Sequence, residues 1–268
     1  MFAGLRERRR SRLRTRPFPE AWAAILERSV PIYKRLPEED RQELRGHILV
    51  FLAEKRFEGA AGLRIDDEVR LTIAAHACVL LLHRRTDYYP GLHSIIVYPG
   101  TYVAQRTVRE PIGLISERAE PRRGESSTWG AIVLAWDAVR EAASGAGNCR
   151  NVVFHEFAHQ LDAQEGAVDG TPVLGDRARH AAWARVLGAE YERLRRDAAS
   201  GRPTLLDRYG ATNPAEFFAV ATECFFTQSR AVKARHRELY AELQAYYRQD
   251  PAALPQGPLA GAASSPLV

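Results

Sequence analysis

The segment FHEFAHQLD, residues 154–162, constrains the fold of this chain more than any other. It places His155, Glu156 and His159 in the pattern H-E-x-x-H within an otherwise apolar stretch. On a helix, residues four apart lie on one face, so both imidazoles can reach the same tetrahedral Zn²⁺. We therefore predict a helix over about 150–163 and a metal site that another part of the chain must complete.

Glu156 follows the first histidine directly, which places its carboxylate near a water molecule at the metal and not on the metal itself. There it can act as general base for attack on a carbonyl carbon. The alternative is a half-buried helix with two hydrogen-bonded histidines, because so short a motif also occurs by chance. The apolar flanks favour the metal site, since buried His and Glu side chains need partners or a ligand.

A catalytic zinc site needs a third protein ligand and leaves its fourth position open. In one zinc-protease pattern that ligand comes six residues after the second histidine, at Glu165 here. The glycine of that pattern is replaced by Asp162, so we expect the helix to continue and to carry Glu165 away from the metal. The other candidates are Glu216 and Glu223 in the segment 207–228, and residue type and spacing do not choose between them.

Both carboxylates belong to a predicted helix over 214–228, where Asn213 is suited to cap the helix and Pro214 to occupy its first position. Glu216 then lies at the third position, where a capping carboxylate is common. A wide apolar stripe makes this a core helix, so its carboxylates need partners. A cation that is also bound by histidines is a strong partner for a carboxylate.

Apolar periodicity predicts helices in both ends of the chain and strands in the middle. The helices are expected over about 19–33, 37–59, 66–84, 137–144, 150–163, 177–198, 214–228 and 230–248. The strands are expected over 94–100, 111–117 and 128–136. This order indicates an α+β architecture.

The chain has 268 residues, enough for one compact unit over 17–250, with a helical part at about 17–85 and a catalytic part at about 86–250. Residues 1–16 form an arginine-rich arm that we predict to be poorly ordered; contact with nucleic acid or acidic lipid is the alternative. Residues 251–268 are rich in Pro, Ala, Gly and Ser, which predicts a disordered tail.

Composition indicates which cellular compartment and which classes of partner to expect. The three cysteines, Cys78, Cys149 and Cys224, form no Cys-x-x-Cys pair, which argues against a disulfide framework. We find no secretory signal and no apolar run long enough to span a bilayer, and so expect a cytoplasmic protein without a membrane partner. The net charge is +5, but no helix-turn-helix or zinc-finger signature is present, so we do not expect direct nucleic-acid binding.

HEFAHQLD followed by NPAEFFAVATECFF resembles the Mlc titration factor A family of bacterial zinc-dependent peptidases. The segments FLAEKRFEG (51–59), LTIAAHACVLLL (71–82) and YPG (98–100) are also similar to that family. The resemblance covers roughly residues 18–250 and extends distantly to the catalytic domain of anthrax lethal factor. It implies a zincin-like metallopeptidase fold, mostly helical, with a small mixed sheet beside the active-site helix.

By this resemblance, Glu216 in NPAEFF is the third ligand of one Zn²⁺ per chain, together with the two histidines of the motif. Tyr209 in RYGATN corresponds to a tyrosine that donates a hydrogen bond to the tetrahedral intermediate; an ordinary loop tyrosine is the alternative. Glu223 then becomes a candidate for orienting a ligand histidine. Asp162 is a second such candidate, or else a polar residue at the end of its helix.

The resemblance implies zinc-dependent hydrolysis of peptide bonds, with aminopeptidase-like activity and a peptide or protein substrate. It also implies a regulatory role through binding a Mlc-like transcriptional repressor. The alternative is an interaction protein that sequesters a transcription regulator, with peptidase activity secondary. Zincins hold the substrate backbone against an edge strand beside the metal, and the predicted strand over 128–136 is our candidate.

Overall fold

The computed structural model describes residues 2–109, 115–122, 124–127, 130–143 and 149–255. Within these residues, helices fill both ends of the chain and strands its middle, so the predicted α+β architecture is confirmed. None of the helices in these ranges has the length and apolar character that crossing a bilayer requires.

The helices are α1 (Phe2–Arg14), α2 (Glu20–Ser29), α3 (Pro31–Arg35), α4 (Glu38–Glu54), α5 (Asp67–Val79), α6 (Trp136–Ala143), α7 (Val152–Asp162), α8 (Arg177–Ala199), α9 (Pro214–Thr227), α10 (Ser229–Arg235) and α11 (Arg237–Tyr247). The strands are β1 (Arg56–Gly59), β2 (Ser94–Tyr98), β3 (Tyr102–Arg109), β4 (Ile115–Arg122), β5 (Gly124–Ser127) and β6 (Ala131–Ala135). Short 3-10 helices follow α7 (Ala163–Glu165) and precede α9 (Arg208–Ala211).

Four strands form a mixed sheet in the order β1-β2-β6-β5. The pairs β1–β2 and β2–β6 are parallel, while β5 runs antiparallel to β6. Strands β3 and β4 form a separate antiparallel pair. Of the predicted strand over 111–117, residues 111–114 lie outside the described residues and the rest belongs to β4.

The prediction that the strand over 128–136 lies at a sheet edge is wrong. Its described part, β6, pairs with β2 on one side and with β5 on the other, so its backbone has no open edge there. Strand β5 ends at Ser127 and β6 begins at Ala131, so these antiparallel partners are near neighbours in sequence. The edge strands of this sheet are β1 and β5, and β5 also contacts α7.

Four predicted helices end earlier or divide. The helix predicted over 66–84 ends at Val79, and the helix predicted over 230–248 divides into α10 and α11. The helix predicted over 37–59 stops at Glu54, because the next residues pair with β2 as strand β1. The helix predicted over 19–33 divides into α2 and α3 at Pro31, whose ring cannot continue the preceding helix. Pairing of β1 with a distant strand is non-local, so a local period does not reveal it.

Helix α7 is anchored in the core by aromatic side chains. The ring of Phe157 lies 4.8 Å from that of Tyr89 and 5.7 Å from that of Phe51. Phe154 contacts Phe226 of α9, with ring centroids 5.0 Å apart. With one face of α7 fixed in this way, its histidine-bearing face is directed toward α9.

The arginine-rich N-terminus is a docked helix and not the poorly ordered arm that we predicted. Helix α1 packs on α4, and Arg10 is only 4% exposed. The Arg10 guanidinium donates to both carboxylate oxygens of Glu54, at 2.8 and 2.7 Å, and also to Asp87. The hydrogen bonds to Glu54 have the largest effect on the pKa of Arg10. Together with the bond to Asp87 they outweigh desolvation and raise that pKa. The composition showed the arginines but not the acidic partners, which lie far away in sequence.

The C-terminal segment also begins in an ordered form. Arg35 donates to the carbonyl oxygens of Pro251 and Pro255, at 3.0 and 2.9 Å. The backbone N–H of Ala252 donates to the Tyr240 hydroxyl. Residues 251–255 of the predicted tail are therefore packed, and the remaining tail residues, 256–268, lie outside the described residues.

Cys149 and Cys224 form a disulfide, with Cα atoms 4.4 Å apart, so the expectation of no disulfide is wrong for this pair. Cys78 is a buried free thiol. The two bonded cysteines are 75 residues apart in sequence and meet only because α7 and α9 are packed together. The disulfide connects the segment entering α7 to the last turn of α9.

We predict that Arg10→Ala lowers the free energy of unfolding by about 3–5 kcal/mol, because it leaves the Glu54 carboxylate partly buried without its cation. Arg9→Ala, on the exposed face of the same helix, is the matched control and should change that free energy by less than about 0.5 kcal/mol. Urea unfolding followed by circular dichroism measures both. Equal midpoints for the two variants would show that the docking of α1 contributes nothing.

Candidate metal centre

The start of α7 is fixed by Asn151, whose side-chain oxygen accepts from the backbone N–H groups of Val153 and Phe154 at 3.1 and 3.0 Å. This cap sets the first turn of the helix, from which His155 projects. Asn151 was not among the residues predicted from the sequence. A cap-forming residue just before an apolar helix is a recognisable signal, and it could have identified this position.

The start of α9 is fixed in the same way, as predicted. The Asn213 side chain accepts from the backbone N–H of Glu216 at 2.9 Å, and Pro214 occupies the first helical position. Glu216 therefore projects from the first turn of α9, which packs against α7. The two caps place ligand-type side chains of both helices opposite each other.

Three donor atoms meet between the helices. Glu216 Oε2 lies 3.0 Å from His155 Nε2 and 3.3 Å from His159 Nε2, and the two Nε2 atoms are 3.3 Å apart. Ligands at about 2.0–2.1 Å from a tetrahedral ion are about 3.4 Å from one another. The triangle of donor atoms thus has the size of one face of a zinc tetrahedron, and the set of two imidazole nitrogens and one carboxylate oxygen suits Zn²⁺.

The electrostatics of this triangle favour a positive charge. Burial raises the pKa of the Glu216 carboxyl, but hydrogen bonds with His155 and His159 outweigh burial and hold that pKa well below its usual range. Burial lowers the pKa of His155, while hydrogen bonds with Glu216 and Glu223 raise it well above its usual value. Both shifts have the same origin: the carboxylates stabilise positive charge on the imidazole side of the cluster.

Glu223 lies behind His155, away from the triangle. Its Oε1 is 2.7 Å from His155 Nδ1, and its Oε2 accepts from the backbone N–H of Asn151. A carboxylate at Nδ1 selects the tautomer that carries its proton there, which leaves the Nε2 lone pair directed at the triangle. Residue type and spacing left Glu216 and Glu223 open as third-ligand candidates, while the family resemblance implied Glu216. The fold gives the two carboxylates these different positions.

Glu156 is 5% exposed and lies on the same helix as the two histidines. Burial raises the pKa of its carboxyl, and the charges of His155 and His159 oppose that rise. A carboxylate of raised pKa is a stronger base than an exposed one, which is the property that a general base at neutral pH requires.

Tyr209 reaches the triangle from the 3-10 helix before α9. Its hydroxyl donates to Glu216 Oε1 at 3.3 Å. The 3-10 helix is capped by Asp207, which accepts from the backbone N–H of Tyr209 and is itself paired with Arg150 at 2.8 Å. Tyr209 is thus positioned beside the candidate ligand Glu216 by its own local structure, although more than half of the residue is exposed.

The remaining candidates lie outside the triangle. Asp162 Oδ2 accepts from the backbone N–H of Gly170 at 2.8 Å and makes no bond to a ligand histidine among the described contacts. Glu165 is the last residue of the 3-10 helix that follows α7, and Gly166 comes directly after that helix. Among the described residues, the group of possible metal ligands that includes the motif histidines is completed by Glu216.

Comparisons with known proteins agree with this chemistry. The model of the glucose-regulated metallo-peptidase M90 family matches residues 5–248. The chain is 40% identical to an uncharacterised protein of Synechocystis sp., over 91% of this chain and 89% of that protein. It is 31% identical to Mlc titration factor A of Pectobacterium atrosepticum, over 87% of this chain and 88% of that protein. Identity to Mlc titration factor A of Cronobacter sakazakii is 30%, over 87% of each protein.

The family match spans nearly the whole chain, and the relatives are matched over most of their own length. The resemblance inferred from HEFAHQLD and NPAEFF is therefore confirmed. On these grounds the chain belongs to the glucose-regulated metallo-peptidase M90 family.

Proposed function

We propose that this chain is a zinc-dependent metallopeptidase of zincin-like fold, with one Zn²⁺ held by His155, His159 and Glu216. The observation that carries the proposal is the triangle of donor atoms, whose sides are 3.0, 3.3 and 3.3 Å. Membership of a metallopeptidase family supports the same reaction class independently of the geometry.

When bound by these residues, zinc would supply Lewis acidity toward a carbonyl oxygen and would make water easier to deprotonate. Glu156 takes the proton from the attacking water and delivers it to the leaving nitrogen, a double use for which its raised pKa is suited. The Tyr209 hydroxyl, next to Glu216, turns toward the developing oxyanion and donates a hydrogen bond to it. Glu223 holds His155 in the orientation that the site requires.

We propose a peptide or protein substrate whose backbone lies along β5, the sheet edge that contacts α7. A strand edge offers unpaired N–H and C=O groups that bind an extended chain whatever its side chains. Aminopeptidase-like action remains part of the proposal and rests on the resemblance stated from the sequence.

We predict that Glu156→Gln retains one zinc per chain but lowers kcat for peptide hydrolysis by about 10²–10⁴-fold, because only the proton acceptor is lost. Zinc content is measured by elemental analysis, and hydrolysis with aminoacyl and longer peptide substrates. Glu165→Gln is the matched control and should keep both zinc and activity. Full activity in Glu156→Gln would exclude the mechanism.

We predict that Glu216→Ala no longer retains zinc in the presence of a competing chelator, because it removes one corner of the triangle. Glu223→Gln should still bind zinc, but about 10–100-fold more weakly, since it loses only the orienting contact on His155. Chelator competition measures both affinities. If Glu223→Gln lost zinc completely while Glu216→Ala bound it normally, the ligand assignment would have to be exchanged.

We also propose a second role, in which the chain binds a Mlc-like transcriptional repressor in the cytoplasm, as predicted from the sequence. The name of the two relatives at 30 and 31% identity, Mlc titration factor A, supports this role. If repressor binding is the main function, peptidase activity is secondary to it.

We predict that a Mlc-like repressor from the same organism co-purifies equally with wild type and with Glu156→Gln, because the substitution removes a base from a buried position and leaves the surface unchanged. Mixing purified proteins, followed by size-exclusion chromatography, measures complex formation. This role would be excluded if the repressor eluted separately both from the wild-type protein and from Glu156→Gln. Complex formation without peptide hydrolysis by the wild type would favour the interaction protein.

A further inference from the structure

Gly170 lies in the loop between α7 and α8, and it contacts residues of α7, α8 and α9. The Gly170 N–H donates to Asp162 Oδ2 of α7 at 2.8 Å. Its carbonyl oxygen accepts from the indole N–H of Trp183, on α8, at 2.9 Å. Gly170, Asp162 and Trp183 are all buried, so these hydrogen bonds are shielded from water.

On its third side, Gly170 lies against the backbone of α9. A Cβ atom at this position would be 2.4 Å from the Pro214 carbonyl oxygen and 2.7 Å from its carbonyl carbon. Gly170 also has φ +83, a conformation that residues with a side chain adopt only with strain. Only glycine allows the loop and the first turn of α9 to approach this closely.

These contacts connect the two halves of the metal centre. Asp162 is three residues beyond His159 on the same helix, and Pro214 is two residues before Glu216. Through Gly170, the end of α7 is therefore in contact with the first turn of α9. Trp183 also packs edge-on against Phe218 of α9, at 5.6 Å between ring centroids, which supports the same junction from the side.

We propose that Asp162 and Gly170 are positioning residues that set the distance between Glu216 and the two histidines. The inference rests on the proposed metal site and adds to it the element that holds its two halves in register. Asp162 acts through the loop and not through a direct bond to a ligand histidine. The geometry of such sites is sensitive to displacements of about 0.5 Å, so a small movement of the first turn of α9 is sufficient to weaken metal binding.

The matched control for Gly170 is Gly175, in the same loop. Gly175 has a similar positive φ of +91, but a Cβ atom there meets nothing within 4 Å. Gly170→Ala and Gly175→Ala therefore impose comparable backbone strain, and only Gly170→Ala forces the loop and the first turn of α9 apart. The comparison separates displacement of the ligand helix from the ordinary cost of replacing a left-handed glycine.

We expect Gly170→Ala to bind zinc about 10–100-fold more weakly than Gly175→Ala and wild type, in a chelator competition with purified full-length protein. The visible spectrum of bound Co²⁺ should change in Gly170→Ala and not in Gly175→Ala. Thermal unfolding of the metal-free proteins is measured in parallel. A lowered melting temperature with unchanged zinc affinity in Gly170→Ala would show a packing role only and overturn the inference.

A second pair of variants decides the question if Gly170→Ala does not fold. Asp162→Ala removes the acceptor of the Gly170 N–H and should weaken zinc binding, whereas Asp162→Asn keeps an acceptor oxygen and should recover most of the affinity. Equal zinc affinity in both Asp162 variants would overturn the inference. Absence of zinc binding in the wild type would instead refute the proposed metal site itself.

Discussion

The rest of the structure depends on one imidazole held between two carboxylates. His155 has Glu216 at its Nε2 and Glu223 at its Nδ1, at 3.0 and 2.7 Å. Both carboxylates come from α9 and the imidazole comes from α7, so this contact defines how the two helices pack. Burying these charged groups is costly unless each has its partners. The same arrangement that satisfies them also directs the Nε2 atom of His155 toward a possible metal ion.

Several other contacts hold the same two helices. The disulfide between Cys149 and Cys224 joins the entry to α7 to the last turn of α9. The hydrogen bond from the Asn151 N–H to Glu223 lies beside it. At the opposite end of α7, Gly170 brings the following loop against the first turn of α9. Because the contacts act at both ends of α7, the helices are restrained against sliding and against rotation, which is what a site with sub-ångström tolerance needs.

The division of roles among the carboxylates follows from their surroundings. Glu216 lies among the imidazole nitrogens. Burial raises the pKa of its carboxyl, but hydrogen bonds with the histidines outweigh burial and keep that pKa low. Glu156 is more deeply buried, and its pKa is raised. One environment suits a group that remains ionised beside a cation, and the other suits a group that gains and loses a proton. Similar carboxylates thus acquire different chemistry from packing alone.

The sequence by itself determined the α+β class, the helix that carries His155 and His159, and the capped start of α9, because period, motif and capping are local signals. Only the tertiary structure decided which positions Glu216 and Glu223 occupy, and that Asp162 contacts Gly170 and not a ligand histidine. It also decided that the N-terminal arginines form a docked helix, that two cysteines pair and that β5, not β6, lies at an edge of the sheet. Each of these depends on groups that are distant in sequence and meet only through packing, and no local pattern encodes such a meeting.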